Sequence, residues 1–387
     1  MQKKLIALAI AGLVSAPAFA QSNVTIYGVA DAYVGFGKHG ENDLRGVQGG
    51  ALSGSRLGFR GTEDLGNGLK AVFVLEQGFD IDTGNEMGSG YQRQALVGLS
   101  GAFGTVALGR QYAPGYFFNY DALAAAAVGP QSILSSQSGM TISPTSTARW
   151  SNSVSYTGSF SGLTARAIYS TGAGYSVDGT NLYKGGHKIS AGAKEVGKKP
   201  SNDDAYGLGL EYANGPLKVG AVYQVVNFKG AVNIGKEIDP ITQLPVDIPL
   251  TGDKKQKEWG VGASYDFGVV SLHASYQSAD NLVGWKGDDA DLWQVGLIVP
   301  VGAGNIHAAY GQTKFDVPGD SDTKVKSYTL AYTHALSKRT TAYVAYNRTD
   351  NDDGLAFGLT KYDPKASSTE WGGKNSDLLG VGIRHTF

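Results

Sequence analysis

The sequence predicts an all-β fold, a sixteen-stranded antiparallel transmembrane β-barrel, on three observations. Segments throughout the chain alternate apolar and polar residues with period two. The connections between those segments are short and long in turn. After residue 20 no stretch is long and apolar enough for a spanning helix. The longest uncharged run, 122–148, is broken by Gly129, Pro130 and Pro144 and is rich in Ser, Thr and Gln. Only a closed barrel satisfies every backbone polar group of such a chain inside a bilayer.

Composition removes the rival classes. The 387 residues include 56 Gly and no Cys, with 42% apolar and 10% aromatic residues. Collagen needs Gly at every third position, disordered chains lack this apolar and aromatic content, and disulfide scaffolds need cysteines. Lys and Arg number 33 against 34 Asp and Glu, a net charge of -1, with no run of five like charges. The electrostatic footprint of a nucleic-acid binder is absent, and nucleic acid is not an expected partner.

At the N-terminus, Lys3 and Lys4 precede an apolar core from Leu5 to Val14, and Ala18-Phe19-Ala20 offers a small-x-small cleavage site before Gln21. This is the layout of a signal peptide. Residues 1–20 are therefore expected to be cleaved, leaving 21–387 as a single barrel domain. Export without cysteine means that burial and hydrogen bonding alone must stabilise the fold.

The strands read as follows. Tyr206, Leu208, Leu210 and Tyr212 share one face, with Gly207, Gly209 and Glu211 on the other. Leu217, Val219, Ala221, Tyr223 and Val225 oppose Lys218, Gly220, Val222 and Gln224. Val270, Leu272, Ala274 and Tyr276 oppose Ser271, His273, Ser275 and Gln277, and Tyr328, Leu330 and Tyr332 oppose Ser327, Thr329, Ala331 and Thr333. At the C-terminus Leu379, Val381, Ile383 and Phe387 oppose Gly380, Gly382, Arg384 and Thr386. A soluble sandwich also alternates. The export signal, the Tyr-rich strand ends and the loop asymmetry select the membrane barrel.

Tight turns are expected at 63–68, 101–104, 159–162, 214–215, 266–268, 301–304 and 337–339. Long polar segments are expected at about 38–50, 81–89, 112–146, 173–201, 230–255, 280–288, 315–323 and 350–374. Seven turns and eight loops join sixteen strands, enough for an aqueous lumen. In the strand after residue 55, Leu57 and Phe59 face outward, so Arg56, Gly58 and Arg60 face the lumen.

Several motifs together resemble one family. They are Ser55-Arg56-Leu57-Gly58-Phe59-Arg60-Gly61 before Glu63-Asp64-Leu65-Gly66-Asn67-Gly68, Arg93-Gln94-Ala95-Leu96-Val97-Gly98-Leu99, and the segment from Gly104 to Arg110-Gln111-Tyr112. Arg149-Trp150-Ser151-Asn152-Ser153 and the terminal Gly382-Ile383-Arg384-His385-Thr386-Phe387 complete the set. Along its whole length the chain resembles the general diffusion porins of Gram-negative outer membranes, most closely a beta-proteobacterial branch. The resemblance implies a homotrimer in the outer membrane whose third loop folds into each pore. It also implies that Phe387 is the assembly signal read by the barrel-assembly machinery, and that Arg93, Arg149 and Arg166 point into the lumen.

The expected constriction comprises Arg56, Arg60, Arg93, Arg110, Arg149 and Arg166, facing Asp121, the one charge of the third loop, with Glu76 beside Val72 and Val74 as a further carboxylate. An Arg facing lipid at mid-depth would cost about 2–4 kcal/mol, which supports the inward placement. The arginine excess predicts modest anion preference. Small hydrophilic solutes and ions are the expected cargo, and lipid and lipopolysaccharide the expected surroundings. Low-affinity divalent ions bridging acidic loops to lipopolysaccharide are compatible with this reading.

Catalytic and cofactor motifs do not compete. Gly158-Ser159-Phe160-Ser161-Gly162 has Phe where a nucleophile elbow needs Ser, and Gly260-Val261-Gly262 lacks the third Gly of a dinucleotide site. The six His share no close pair of ligand spacing, and Asp350-Asn351-Asp352-Asp353-Gly354 lacks the closing Glu of a calcium loop. No enzyme activity, cofactor or dedicated metal site is expected. The alternatives are a substrate-specific channel for sugar or phosphate and a non-conducting adhesin-type barrel.

Overall fold

The computed structural model describes residues 23–172, 204–228, 252–358 and 373–387 apart from 41, 89, 124–125, 146–147 and 320–321. Two short hairpins, Leu182–Lys184 with His187–Ile189 and Asn233–Ile238 with Pro245–Pro249, are also described. The leader at 1–20 and parts of the expected loops at 173–201, 230–255 and 350–374 lie outside these residues.

The wall is built from β1 (Asn23–His39), β2 (Asn42–Gly49), β3 (Arg56–Gly66), β4 (Leu69–Gly78), β5 (Gln94–Gly101) and β6 (Gly104–Tyr112). It continues through β7 (Arg149–Phe160), β8 (Leu163–Ser170), β9 (Asp204–Asn214), β10 (Leu217–Asn227), β11 (Lys255–Asp266) and β12 (Ser271–Asp280). Finally come β13 (Asp289–Val301), β14 (Gly304–Asp316), β15 (Thr323–Ala335), β16 (Thr340–Asn351) and β17 (Ser376–Thr386). Every neighbouring pair is antiparallel, and β17 returns to β1 in the register Val29↔Thr386 to His39↔Ser376, closing the sheet.

Each expected tight turn joins two of these strands. At 63–68 the register brings Gly66 opposite Leu69, and Asn67 (φ 52°) with Gly68 (φ 77°) forms a two-residue turn with both φ positive. That conformation matches the strand twist and selects Asn-Gly.

The first long segment is a correction. Instead of a loop at 38–50, β1 runs on to His39 and β2 folds back along it from His39↔Asn42 to Ala32↔Gly49. Both β2 and β3 pair with β1, one beyond the other, so seventeen segments make sixteen staves. Asp43, Arg45 and Gln48 interrupt the apolar alternation that marks the spanning strands.

Outward positions carry the exposed apolar surface: Val97 is 58% exposed, Leu208 58% and Leu330 57%. Aliphatic side chains at that exposure on successive strands fit a lipid-facing wall. Inward, the described part of the loop 113–148 after β6 lies within the barrel. The base of this loop is closed by Ala113 N donating to Ala148 O at 2.8 Å. Within the loop, helix α1 (Pro130–Ser138) begins with Pro at its first turn and stops at Gly139 in the left-handed conformation, φ 85°.

The loop is seated by a row of polar side chains on the lumen face. Gln224 accepts from Gly115 N at 2.6 Å and donates to Thr141 Oγ1 at 2.8 Å. Gln277 donates to Ile142 O at 2.9 Å, Gln294 to Tyr120 O at 2.5 Å, and Thr329 Oγ1 to Val128 O at 2.6 Å. Glu258 accepts Thr141 N, Thr141 Oγ1 and Ile142 N. Lumen glycines leave room for the same loop: a Cβ on Gly220 or Gly262 would overlap the Tyr120 side chain, and one on Gly296 would lie 2.6 Å from Ala122 Cβ. The core is therefore the seam between loop and wall, where Phe118, Tyr120, Ile142 and Val222 cluster.

Candidate pore constriction

Antiparallel register assembles the charged centre. Glu76, near the end of β4, stands opposite Gly58 on one side and Gln94 on the other. Arg56 opens β3 and Arg93 immediately precedes β5, so both long side chains reach back to the one carboxylate between them. Arg93 Nε donates to Glu76 Oε1 at 2.7 Å, and Arg56 Nε lies 3.6 Å from Oε2. Tyr27 and Tyr112 hydroxyls donate to the same carboxylate at 3.0 and 3.1 Å. Glu76 is only 3% exposed, and three hydrogen-bond donors with a second guanidinium beside them are what a buried carboxylate requires.

Aromatic rings fix the remaining side of the cluster. Tyr112 and Tyr116 stack with centroids 3.6 Å apart, and the Arg149 guanidinium lies 5.5 and 6.0 Å from those two centroids. Arg56, Arg93, Arg149 and Tyr116 border a cavity of about 690 Å³ inside the barrel, whose lining also includes Arg384, Asp80 and His307. Four guanidiniums and Asp80 thus line the cavity, with Glu76 paired behind Arg56 and Arg93. Asp31 is sealed beneath Leu52 N at 3.0 Å, Ser53 N at 2.7 Å and Tyr343 OH at 2.5 Å.

The sequence-derived set therefore divides. Arg56, Arg93, Arg149 and Glu76 come together. Arg60 sits four residues further along β3, 5.1 Å from the Tyr27 centroid. Arg166 lies on the other side of the loop base, 4.4 Å from the Phe117 centroid. Arg110 is a correction: it pairs with Ala95 on the outward register shared by Val106 and Leu108, and donates to Gln92 O and to Ser151 Oγ at 2.5 and 2.8 Å.

Asp121 is a second correction. Its carboxylate does not face the arginines but accepts Leu123 N at 2.8 Å and Gln131 N at 3.1 Å inside the loop. Burial pushes its pKa up to about 6. A lone acidic residue in a loop of otherwise neutral residues reads as a pore charge, whereas its work here is to tie the start of the loop to α1.

Arg384, Asp31 and Glu258 lie outside the sequence-derived set. Arg384 is legible on the polar face of the last strand. Gln224, Glu258, Gln277 and Gln294 form a row of long polar side chains on four consecutive lumen faces, a signal that marks where a loop is held. Among the described residues no group of three His, Cys, Asp or Glu is placed to hold a metal ion.

Comparison with known proteins places this geometry. The chain is 31% identical to an outer membrane porin protein of Bordetella pertussis and 32% identical to outer membrane porin protein 32 of Delftia acidovorans, over the full length of both partners in each case. Its backbone is similar to that of the anion-selective porin from Comamonas acidovorans, with a TM-score of 0.68 and 27% identity over 95% of this chain and 100% of the other. The Gram-negative porin family matches residues 7–354, and the chain belongs to that family.

Proposed function

We propose that this outer-membrane porin is an anion-preferring diffusion channel, assembled as a homotrimer from chains processed after residue 20. As a porin of this kind it is a channel for passive diffusion of ions and small hydrophilic solutes. The observation that carries the preference is the cavity lined by Arg56, Arg93, Arg149 and Arg384, with Glu76 buried beneath two of them. Cationic rings in a water-filled passage raise the local anion concentration. Similarity to a protein described as an anion-selective porin supports the same sign.

Three further parts of the reading rest on the family resemblance and the sequence. Residues 21–387 form one barrel domain, three copies associate, and Phe387 directs assembly by the barrel-insertion machinery. Lipopolysaccharide surrounds the outer rim.

The test is the zero-current potential of the reconstituted protein in a potassium chloride gradient. A potential with the sign for chloride is expected, and Arg149→Glu should move it toward potassium. Cation preference in the unmodified protein would overturn the assignment, and so would an Arg149→Glu variant that conducts with unchanged selectivity. Deleting Phe387 should lower outer-membrane yield; undiminished yield would remove its assembly role.

A further inference from the structure

Loop and wall leave a second cavity, of about 320 Å³, on the far side of the loop base from the arginine cluster. Its floor is unusual for this lumen. Val72 and Val74 of β4, Leu96 of β5 and Ile168 of β8 present adjacent branched aliphatic side chains, whereas most lumen positions carry Gly, Ser, Thr or Gln. The register places Val74 directly opposite Leu96. Elsewhere, apolar lumen residues such as Val222 are covered by loop aromatics. Here the loop contributes Phe117 and Pro114 at the margin, and the space between remains open.

One cation borders this apolar space. The Arg166 guanidinium lies 4.4 Å from the Phe117 ring centroid. Among the described residues no carboxylate lies within 4.0 Å of it, and no hydrogen bond engages it. Thr157, directly opposite Arg166 in the sheet, is its polar neighbour. An apolar floor, an aromatic edge and a guanidinium whose acidic lumen neighbour, Glu211, is itself paired with Lys218 at 3.0 Å are complementary to a flat hydrophobic ring that carries one negative charge. The volume is near the lower end for small-molecule pockets and suits a single ring rather than a larger solute.

From this geometry we infer that the pocket is a retention site for small aromatic monocarboxylates, with the ring against Val72, Val74, Leu96 and Phe117 and the carboxylate on Arg166. It deepens the anion-channel reading and rests on it, since such a solute must first pass the arginine-lined cavity or leave through it. A bound aromatic anion occupies the lumen longer than an aliphatic one and reduces the chloride current while it stays.

The experiment uses the full protein in planar bilayers, with benzoate as probe, acetate as the charge control and benzyl alcohol as the ring control. Benzoate should reduce the chloride current with saturation, and neither control should do so at equal concentration. Arg166→Gln should raise the half-blocking benzoate concentration by about tenfold for the lost charge-assisted contact, and the near-isosteric Val74→Thr should raise it separately by making the floor polar. Each variant is normalised to its own current in potassium chloride. Benzoate indistinguishable from acetate, or half-blocking concentrations unmoved in both variants, would overturn the site. A potassium-selective zero-current potential with saturable benzoate block intact would overturn the anion preference and leave the site standing.

Discussion

Glu258 holds the tip of the inserted loop, and replacing it by Gln tests that role with almost no change in shape. The carboxylate is 1% exposed. Its Oε1 accepts Thr141 N at 2.8 Å, Thr141 Oγ1 at 2.7 Å and Gln256 Nε2 at 2.7 Å, while Oε2 accepts Ile142 N and Thr141 N, both at 2.9 Å. Both oxygens therefore face donors. If the amide nitrogen takes the Oε2 position, Ile142 N loses its acceptor. If it takes the Oε1 position, it meets the Gln256 amide, which cannot turn because that side chain also donates to Gly139 O and accepts from Val283 N. Either way one hydrogen bond to a charged group is lost, about 1.5–3 kcal/mol. A loss near 2 kcal/mol multiplies the fraction of time the tip is detached by about 30. Glu258→Ala strands every donor at once, at about 3–5 kcal/mol. Amide hydrogen exchange followed by mass spectrometry reads this directly, in peptides covering 139–145 of the detergent-purified protein, with peptides from β13 and β14 as the control. Protection should fall by about that factor in Glu258→Gln and further in Glu258→Ala. Unchanged protection of the loop tip in Glu258→Ala would refute the argument.

Two other outcomes follow from equally local geometry. A Cβ on Gly28 would overlap the Phe387 ring and stand 2.6 Å from Arg56 O, while Gly28 and Phe387 exchange backbone hydrogen bonds of 3.0 and 3.1 Å. Gly28→Val should therefore lower the thermal midpoint of the folded barrel, and a midpoint within a degree or two of the parent would contradict the contact. Asp121 has its pKa raised by burial from 3.8 to about 6, so its neutral form is the one the folded loop favours. Its contribution is fully present below pH 3.8 and is lost as pH rises through about 6, a span worth roughly 3 kcal/mol. Exchange protection of the 121–131 segment, corrected for intrinsic rates, should be lower at pH 7.5 than at pH 5, and Asp121→Asn should flatten that dependence. A steeper dependence in the variant would reverse the reasoning.

The sequence by itself determined the wall. Period-two alternation records which side of each strand meets lipid and which meets water, and it needs no knowledge of any distant residue; Leu208 and Gly209 differ by one position and by solvent. The turns were legible for the same local reason, since Asn67-Gly68 carries its own backbone conformation. So was the inward face of Arg56, two residues from Gly58 on one strand. The tertiary structure alone decided what those side chains meet. Glu76 and Arg93 are 17 residues apart, Thr141 and Glu258 117 apart, and Tyr343 and Asp31 312 apart. Whether a carboxylate faces a guanidinium, a backbone amide or water depends on which strands stand side by side and where the loop crosses them. Asp121 shows the limit most clearly. Its charge and its place in the loop were readable, yet its partners are the amides of its own loop, because folding the loop back on itself buried the carboxylate away from the pore. Closure of the barrel set the strand neighbours, and the lumen left by glycines such as Gly220 and Gly262 set the path of the loop. Neither is a property of any one segment of the chain.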